Sequence, residues 1–268
     1  MLLVVSEMLV GGLKVSAAGV LALRLPTGHE RRNGMRCVRQ SPRSVVLPLV
    51  LAALLTACAP APKPPKPLTT EVVEALGKAV DARLQPLFGR ARVPYPPTHV
   101  HLLAFKQERK IELWAQAGGG PVFIRSYPVL LASGKTGPKL AKGDWQVPEG
   151  IYAVTSLNPA SNHYLSLKLD YPNAFDRQKA AEENRTNLGG DIFIHGKGLS
   201  RGCLAVGDAA IEELFVLAAR VGAPNLRVII TPNDLRQKQP PADTKYRPVW
   251  LSELYTVIRA ELASFRLR

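Results

Sequence analysis

The sequence predicts a mainly β domain with α-helices at its periphery. Three observations carry this. From about residue 98, apolar and polar residues alternate in short runs, the period of two expected of strands. Those runs are separated by turn-rich stretches such as Gly118-Gly-Gly-Pro121 and Gly134-Lys-Thr-Gly-Pro138. Apolar residues at helical spacing occur only at the flanks and in one short segment after residue 207. With 46% apolar residues in 268, the chain has enough material for one sizeable domain or two small ones.

The first segments read as processing and tethering sequence. Met35 to Arg43 is basic, and Val45 to Leu55 is apolar over about eleven residues. That is the length of a signal-peptide core and too short to span a bilayer. Leu55-Thr-Ala-Cys58 then resembles a bacterial lipobox, in which the cysteine is lipidated and becomes the new N-terminus. Residues 35–57 are therefore expected to be a lipoprotein signal peptide, with Cys58 the lipidation site. A plain cleaved signal or an uncleaved anchor are the alternatives. Residues 1–34 read as an extension from a start placed too early, with Met35 the true start; a second hydrophobic anchor is the other option. Residues 58–68 are a Pro-rich tether, extended by about 3.1 Å per residue. The protein is thus expected to be exported and lipid-anchored to a membrane, facing the periplasm or cell wall.

Residues 69–97 hold a helix and connector. Thr69 or Thr70 is the expected cap, Val73, Leu76, Val80 and Leu84 share a face, and Pro86 is the expected end. His99 to Phe105 and Ile111 to Gln116 flank a charged turn and predict a hairpin. His99 and His101 fall on one side of the first strand and are expected to face solvent. Strands are further expected over 122–131, 151–157, 164–169 and 226–231. Arg177 to Gly190 is polar and reads as a loop beside the site. Asp208 is expected to cap a helix over 209–221, stopped by Gly222. Residues 232–268 read as a linker and a last helix, Trp250 to Phe265, in a packing role.

Formal charge is +14. Residues 1–57 hold seven Lys/Arg against two Glu, so about +9 remains to the rest. A basic surface suits an anionic wall or membrane. Nucleic acid is disfavoured by the export signal and by the lack of an aromatic-interleaved basic motif. The cysteines are Cys37, Cys58 and Cys203. The first would leave with the signal and the second would be acylated, leaving Cys203 the only thiol. Neither cysteine spacing nor His99, His101, His163 and His195 forms a metal motif, so no metal or cofactor is expected.

The chemistry concentrates in Asp191-Ile-Phe-Ile-His-Gly-Lys-Gly-Leu-Ser-Arg-Gly-Cys-Leu-Ala-Val206. It opens with strand alternation and continues into a glycine-rich turn. Fully extended, the eight steps from His195 to Cys203 would reach roughly 26 Å, so the loop must double back for imidazole and thiol to meet. Gly196, Gly198 and Gly202 permit such a turn. A thiol is a strong nucleophile as thiolate, and a nearby imidazole can take its proton. Backbone N–H groups around Gly202 and Cys203 are candidate oxyanion donors. The alternative is a buried cysteine, a strand-end histidine and an ordinary loop; spacing alone does not separate the two.

His195-Gly196 followed by Ser200-Arg-Gly-Cys203 resembles the signature of L,D-transpeptidase catalytic domains of the YkuD type: His-Gly, a variable loop, then Ser-x-Gly-Cys. The resemblance covers roughly residues 98–231. A second family-like stretch runs from Gly134 to Tyr152, with Val147 where members carry Thr. The resemblance implies a β-sandwich, Cys203 as nucleophile, and His195 as base with its other nitrogen held by a backbone carbonyl. It implies peptidoglycan stem peptides as substrates. Gly202, Ser200, Arg201 and Tyr171 are the nearest candidates for oxyanion or substrate contacts. The short loop and Ala205, in place of a common Arg, are similar to a smaller branch of murein transpeptidase-related proteins and hydrolases of the same bonds. Transpeptidation is the first expectation. Hydrolysis at the same site, or a non-catalytic wall-binding lipoprotein, are the alternatives.

Overall fold

A computed structural model describes residues 67–266. The start-site, signal-peptide and Cys58 readings fall outside the described residues, as does most of the tether.

The described residues form nine strands: β1 (Val100–Phe105), β2 (Lys110–Ala117), β3 (Gly120–Pro128), β4 (Leu131–Ala132), β5 (Gly150–Ser161), β6 (Tyr164–Leu169), β7 (Phe193–His195), β8 (Leu204–Ala205) and β9 (Leu226–Thr231). They hydrogen-bond in the order β3-β2-β1-β9-β5-β6-β7-β8-β4. The long β5 belongs to both halves. Gly150 to Ala153 pair with β9, and Val154 onward pairs with β6. Register shifts at Val154/Ser156 and Asn158/Ser161 mark irregularities there, the kind of break that lets a strand bend from one half to the other. The mainly β expectation therefore holds, with the strands joined in one hydrogen-bonded series.

Both faces of the β1-β2-β9 half are covered, and the alternation of β1 shows why. Leu102 faces a core made with α1 (Thr69–Ala91) and α3 (Asp208–Val221), including Val80, Leu84, Phe88, Ile211 and Leu214. Leu103 and Phe105 face the opposite way, toward Trp114, Ile229 and the helix α4 (Leu251–Leu262) with Leu254, Ile258 and the following Phe265. Apolar residues on both parities of one strand require cover on both sides.

Several expectations change. Pro86 lies inside α1, which continues to Ala91 and ends with Arg92 in a left-handed conformation. The fully buried Leu84 and Phe88 flank the proline, and their packing outweighs one missing helix hydrogen bond. Leu68, not a threonine, precedes the first turn, and its N–H donates to Glu71 at 2.9 Å. The polar 177–190 segment is partly helical: α2 spans Ala174–Glu182. Asn173 starts it through a reciprocal pair, Asp176 N–H to Asn173 Oδ1 and Asn173 N–H to Asp176 Oδ2, both 3.0 Å. Gly207 precedes α3, so Asp208 opens that helix rather than capping it. His101 does not face solvent freely; it is half-buried, its ring 5.0 Å from that of Phe265.

Candidate active site

His195 ends β7 between two neighbours, paired with Ser166 of β6 and Ala205 of β8. It is 2% exposed. Its Nδ1 lies 2.6 Å from the carbonyl oxygen of Gly196. A carbonyl only accepts, so Nδ1 carries the proton and Nε2 is left as the basic nitrogen. Gly196 has no room for a side chain: a Cβ would meet Asp208 Oδ1 at 2.6 Å and the His163 carbonyl at 2.9 Å.

Cys203 immediately precedes β8 and is partly exposed. β7 and β8 are parallel, with Ile194 opposite Leu204 and His195 opposite Ala205. Continuing that register places Cys203 beside Phe193, on the same face as His195 and two positions along. The loop does double back. Gly202 has φ +99°, a conformation that favours glycine, and a Cβ there would come within 3.2 Å of the Gln146 carbonyl. Cys203 Sγ donates to the Asp191 carbonyl at 3.7 Å rather than to the imidazole.

Burial pushes the Cys203 thiol up, with the Asp191 charge adding and the Phe193 backbone and Lys139 opposing. Burial likewise pushes His195 down; the Gly196 carbonyl opposes this and the neighbouring His163 reinforces it. Both shifts favour a neutral thiol and a neutral imidazole at rest. The arrangement suits deprotonation during attack better than a preformed ion pair.

The N–H groups of Gly202 and Cys203, expected to face an oxyanion, are engaged elsewhere. Gly202 N–H donates to Ser133 Oγ at 2.6 Å and Cys203 N–H to Ser200 Oγ at 3.2 Å. Ser200 Oγ also accepts the Ser133 N–H at 3.2 Å and donates to the Cys203 carbonyl at 2.6 Å. Ser200 is thus a clamp of the loop that carries Cys203. Ser133, which no sequence pattern singled out, is its partner.

Beside the thiol lies a cleft of about 1000 Å³. Asp191, whose carbonyl holds Sγ, and Arg201 both line it. So do Lys139, Lys142, Arg177 and Arg185; Lys139 is ion-paired with Asp144 and Arg185 with Glu183, so Lys142, Arg177 and Arg201 carry the cleft's positive charge against Asp191. Arg201 packs over the ring of Trp145, 5.3 Å to its centroid, and Trp145 is 52% exposed at the mouth. Tyr171 does not present itself to this space. It is buried behind it, its hydroxyl 3.3 Å and 3.4 Å from the carbonyls of Lys139 and Leu188, which do line the cleft. Burial raises its phenol well above the ordinary value. Ala205 is fully buried, so that position offers no open surface on which an arginine could act.

Missed by sequence reading were Ser133, Trp145, Lys139 and the pairing of His163 with His195. The last had a signal in Asn162-His163, a two-residue turn between two alternating runs, but nothing in the chain indicates which strand end it would meet.

Residues 100–230 match the model of the YkuD L,D-transpeptidase catalytic domain. Over 138 residues the chain is 36% identical to the Escherichia coli K12 protein named "Putative L,D-transpeptidase YafK", covering 50% of this chain and 54% of that protein. The Escherichia coli O157:H7 protein of that name matches to the same extent. The chain thus spans about half the length of the curated relatives it matches. Among solved structures it is similar to the helical cell shape determining protein Pgp2 of Campylobacter jejuni, at 21% identity and TM-score 0.43, covering 58% of this chain and 56% of that one. It is also similar to L,D-transpeptidase 1 of Mycobacterium tuberculosis, at 12% identity and TM-score 0.29, covering 50% and 62%. Residues 100–230, which contain both His195 and Cys203, belong to the L,D-transpeptidase catalytic domain family of the YkuD type.

Proposed function

We propose that this protein is an exported cysteine acyltransferase of peptidoglycan stem peptides. Cys203 attacks the carbonyl that precedes a D-amino acid. His195 takes the thiol proton, an S–C bond forms, and the amide C–N bond breaks as His195 returns that proton to the departing amine. An incoming amine then attacks the thioester, His195 takes its proton, and the S–C bond breaks to give the new amide and the thiol. The observation that carries this reading is a buried imidazole with a free Nε2 on the same sheet face as a partly exposed thiol, at the edge of a cationic cleft suited to a peptide rich in carboxylates. The test is purified protein with a tetrapeptide muropeptide and an added D-amino acid. Exchange products are expected, and Cys203→Ala should lose them by at least about a thousandfold while still folding. Turnover retained in Cys203→Ala would end this mechanism.

Hydrolysis is the second reading, favoured by the short 195–203 loop and the partial exposure of Cys203. Water at roughly 55 M competes with an amine unless the site positions the amine. Hydrolysis products should then accompany exchange in the same assay; exchange as the sole outcome would remove this second reading. A non-catalytic wall-binding lipoprotein would show neither.

The proposal includes lipid anchoring at Cys58. Labelling with a radioactive fatty acid should mark the wild-type protein and fail in Cys58→Ser. An unlabelled wild type would remove the anchor while leaving the chemistry untouched.

A further inference from the structure

The two-residue turn Asn162-His163, between β5 and β6, sits directly on the segment that carries the histidine base. The His163 ring stacks on the His195 ring, with centroids 4.4 Å apart and planes 26° from parallel. The His163 carbonyl lies against Gly196, so close that a Cβ there would come within 2.9 Å. Lys197 Nζ donates to the Asn162 carbonyl at 3.1 Å, and His163 N–H donates to Ser161 Oγ at 3.1 Å. Tyr164 follows with φ +77°, a conformation costly for a bulky side chain, and its hydroxyl donates to Glu212 of α3 at 3.0 Å. The turn is therefore tied down on both sides of the base rather than resting on it loosely.

We propose that His163 is a positioning residue for His195: its ring holds the imidazole in the orientation that keeps Nδ1 on the Gly196 carbonyl and Nε2 free, and its charge helps to keep the base unprotonated as pH falls. This rests on the reading of His195 as the base of Cys203.

The physical argument has two parts. A ring stacked on one face of His195 restricts rotation of the imidazole, which a single hydrogen bond at Nδ1 would leave open to tilt. Second, a positive charge on the His163 ring, 4.4 Å away, opposes a proton on His195, so the base stays free to lower pH. Other charged or titratable groups surround His195. Cys203 lies toward β8. Lys197 follows the base, its N–H held by Asp208 of α3 at 2.8 Å. Lys168 of β6 pairs with Asp191, and Tyr164 is bonded to Glu212. Among these side-chain types, only histidine ordinarily changes charge between about pH 5 and 8. Burial and the neighbouring His163 both push His195 down, which is the sign this arrangement requires.

The experiment follows alkylation of Cys203 by iodoacetamide from pH 4 to 9, read by mass spectrometry of the Cys203 peptide, in the full chain. It needs no peptidoglycan substrate. His163→Phe keeps a stacking face and removes the charge; His163→Ala removes both; melting curves confirm that each folds. In the wild type the rate should fall on the acid side as His195 takes a proton. His163→Phe should move that fall upward by about 0.5–1 pH unit, because His195 then keeps its proton to higher pH, with the rate at pH 8 within about threefold of wild type. His163→Ala should show the same shift and about a tenfold lower rate at pH 8. If both variants track the wild-type profile while His195→Ala is impaired, the inference on His163 is wrong and the base stands. If His195→Ala itself alkylates like wild type, there is no base to position, and both readings fall.

Discussion

Ser200 shows how a residue singled out by its motif can make contacts that the motif does not foretell. The sequence places it near the thiol as a contact for substrate or oxyanion. In the structure its hydroxyl joins both backbone groups of Cys203, the N–H at 3.2 Å and the carbonyl at 2.6 Å, while Ser133 holds Gly202 N–H at 2.6 Å. Removing Ser133 leaves a partly buried N–H without its acceptor, which costs about 1–3 kcal/mol. Ser133→Ala should therefore lower stability by about 1–2 kcal/mol in a urea melt and slow the proposed acylation of Cys203 by about tenfold, because the loop that carries the thiol loosens. Ser133→Thr, which retains the hydroxyl, should recover most of both; identical melts and rates in Ser133→Ala would dismiss the clamp. What was legible at this scale was whatever the chain brings together locally. His195, Gly196, Ser200, Gly202 and Cys203 lie within nine consecutive residues, and their types advertise their chemistry. Ser133 is separated from Ser200 by 67 positions, and a serine before a glycine carries no pattern that distinguishes it. Tyr171 was placed beside the cleft by sequence, but only packing decides whether a tyrosine turns its face or its back to a cavity.

Among elements, the strands were legible because their alternation is local: β6 and β9 fall where the pattern places them, and the β1–β2 hairpin forms around its charged turn. Helices with weaker signals were less so. α2 is polar, and only the Asn173/Asp176 pair marks its start. Asp176 is also half-buried beneath Tyr152, 3.5 Å from its hydroxyl, and desolvation pushes its carboxyl up to about 6. That direction fixes a sign. The folded state prefers the protonated acid, so this contribution is fully present below the ordinary carboxylate range and is lost as pH rises through about 6. A tenfold change in proton affinity corresponds to about 1.4 kcal/mol, so the loss across that window amounts to about 2 kcal/mol once partial solvent access is allowed for. Asp176→Asn has no such titration, and its amide oxygen can still accept the Asn173 N–H. Relative to that variant, the wild type should lose about 2 kcal/mol between pH 4 and pH 7 in urea unfolding. Parallel stability curves for the two proteins would show that Asp176 ionises freely. Because α2 lines the cleft through Arg177, Ala180 and Ala181, this titration bears on the wall of the site as well as on the fold.

At the scale of the molecule, the segment after residue 231 does more than the packing role its amphipathic pattern suggests. It lies beyond the residues matched to the family, yet it ties both walls of the cleft together. Lys245 N–H donates to the Thr136 carbonyl at 2.9 Å, fastening the 134–149 loop. Trp250 Nε1–H donates to Glu183 at 2.9 Å and its ring packs 5.7 Å from Phe175, fastening α2. Deeper, the Tyr255 hydroxyl donates to Glu149 at 2.7 Å. Glu149 in turn accepts Gly137 N–H at 2.7 Å and pairs with the buried Lys106 at 3.0 Å. A carboxylate this deeply buried needs each of those partners, and removing one strands charge in the interior. Tyr255→Phe deletes one oxygen and leaves the aromatic packing against the sheet intact. It should cost about 2–3 kcal/mol in stability, where an exposed tyrosine would cost almost nothing. Since Glu149 anchors the loop that carries Lys139, Lys142 and Trp145, the variant should also raise KM for the proposed acyl donor more than it lowers kcat, whereas Ile258→Ala, a core cavity that removes no hydrogen bond to that carboxylate, should cost about 2–4 kcal/mol with KM unchanged. Urea melts and steady-state kinetics on the two variants separate these outcomes. Equal effects on KM would mean that α4 supports the sheet alone and that the cleft walls hold their shape without it.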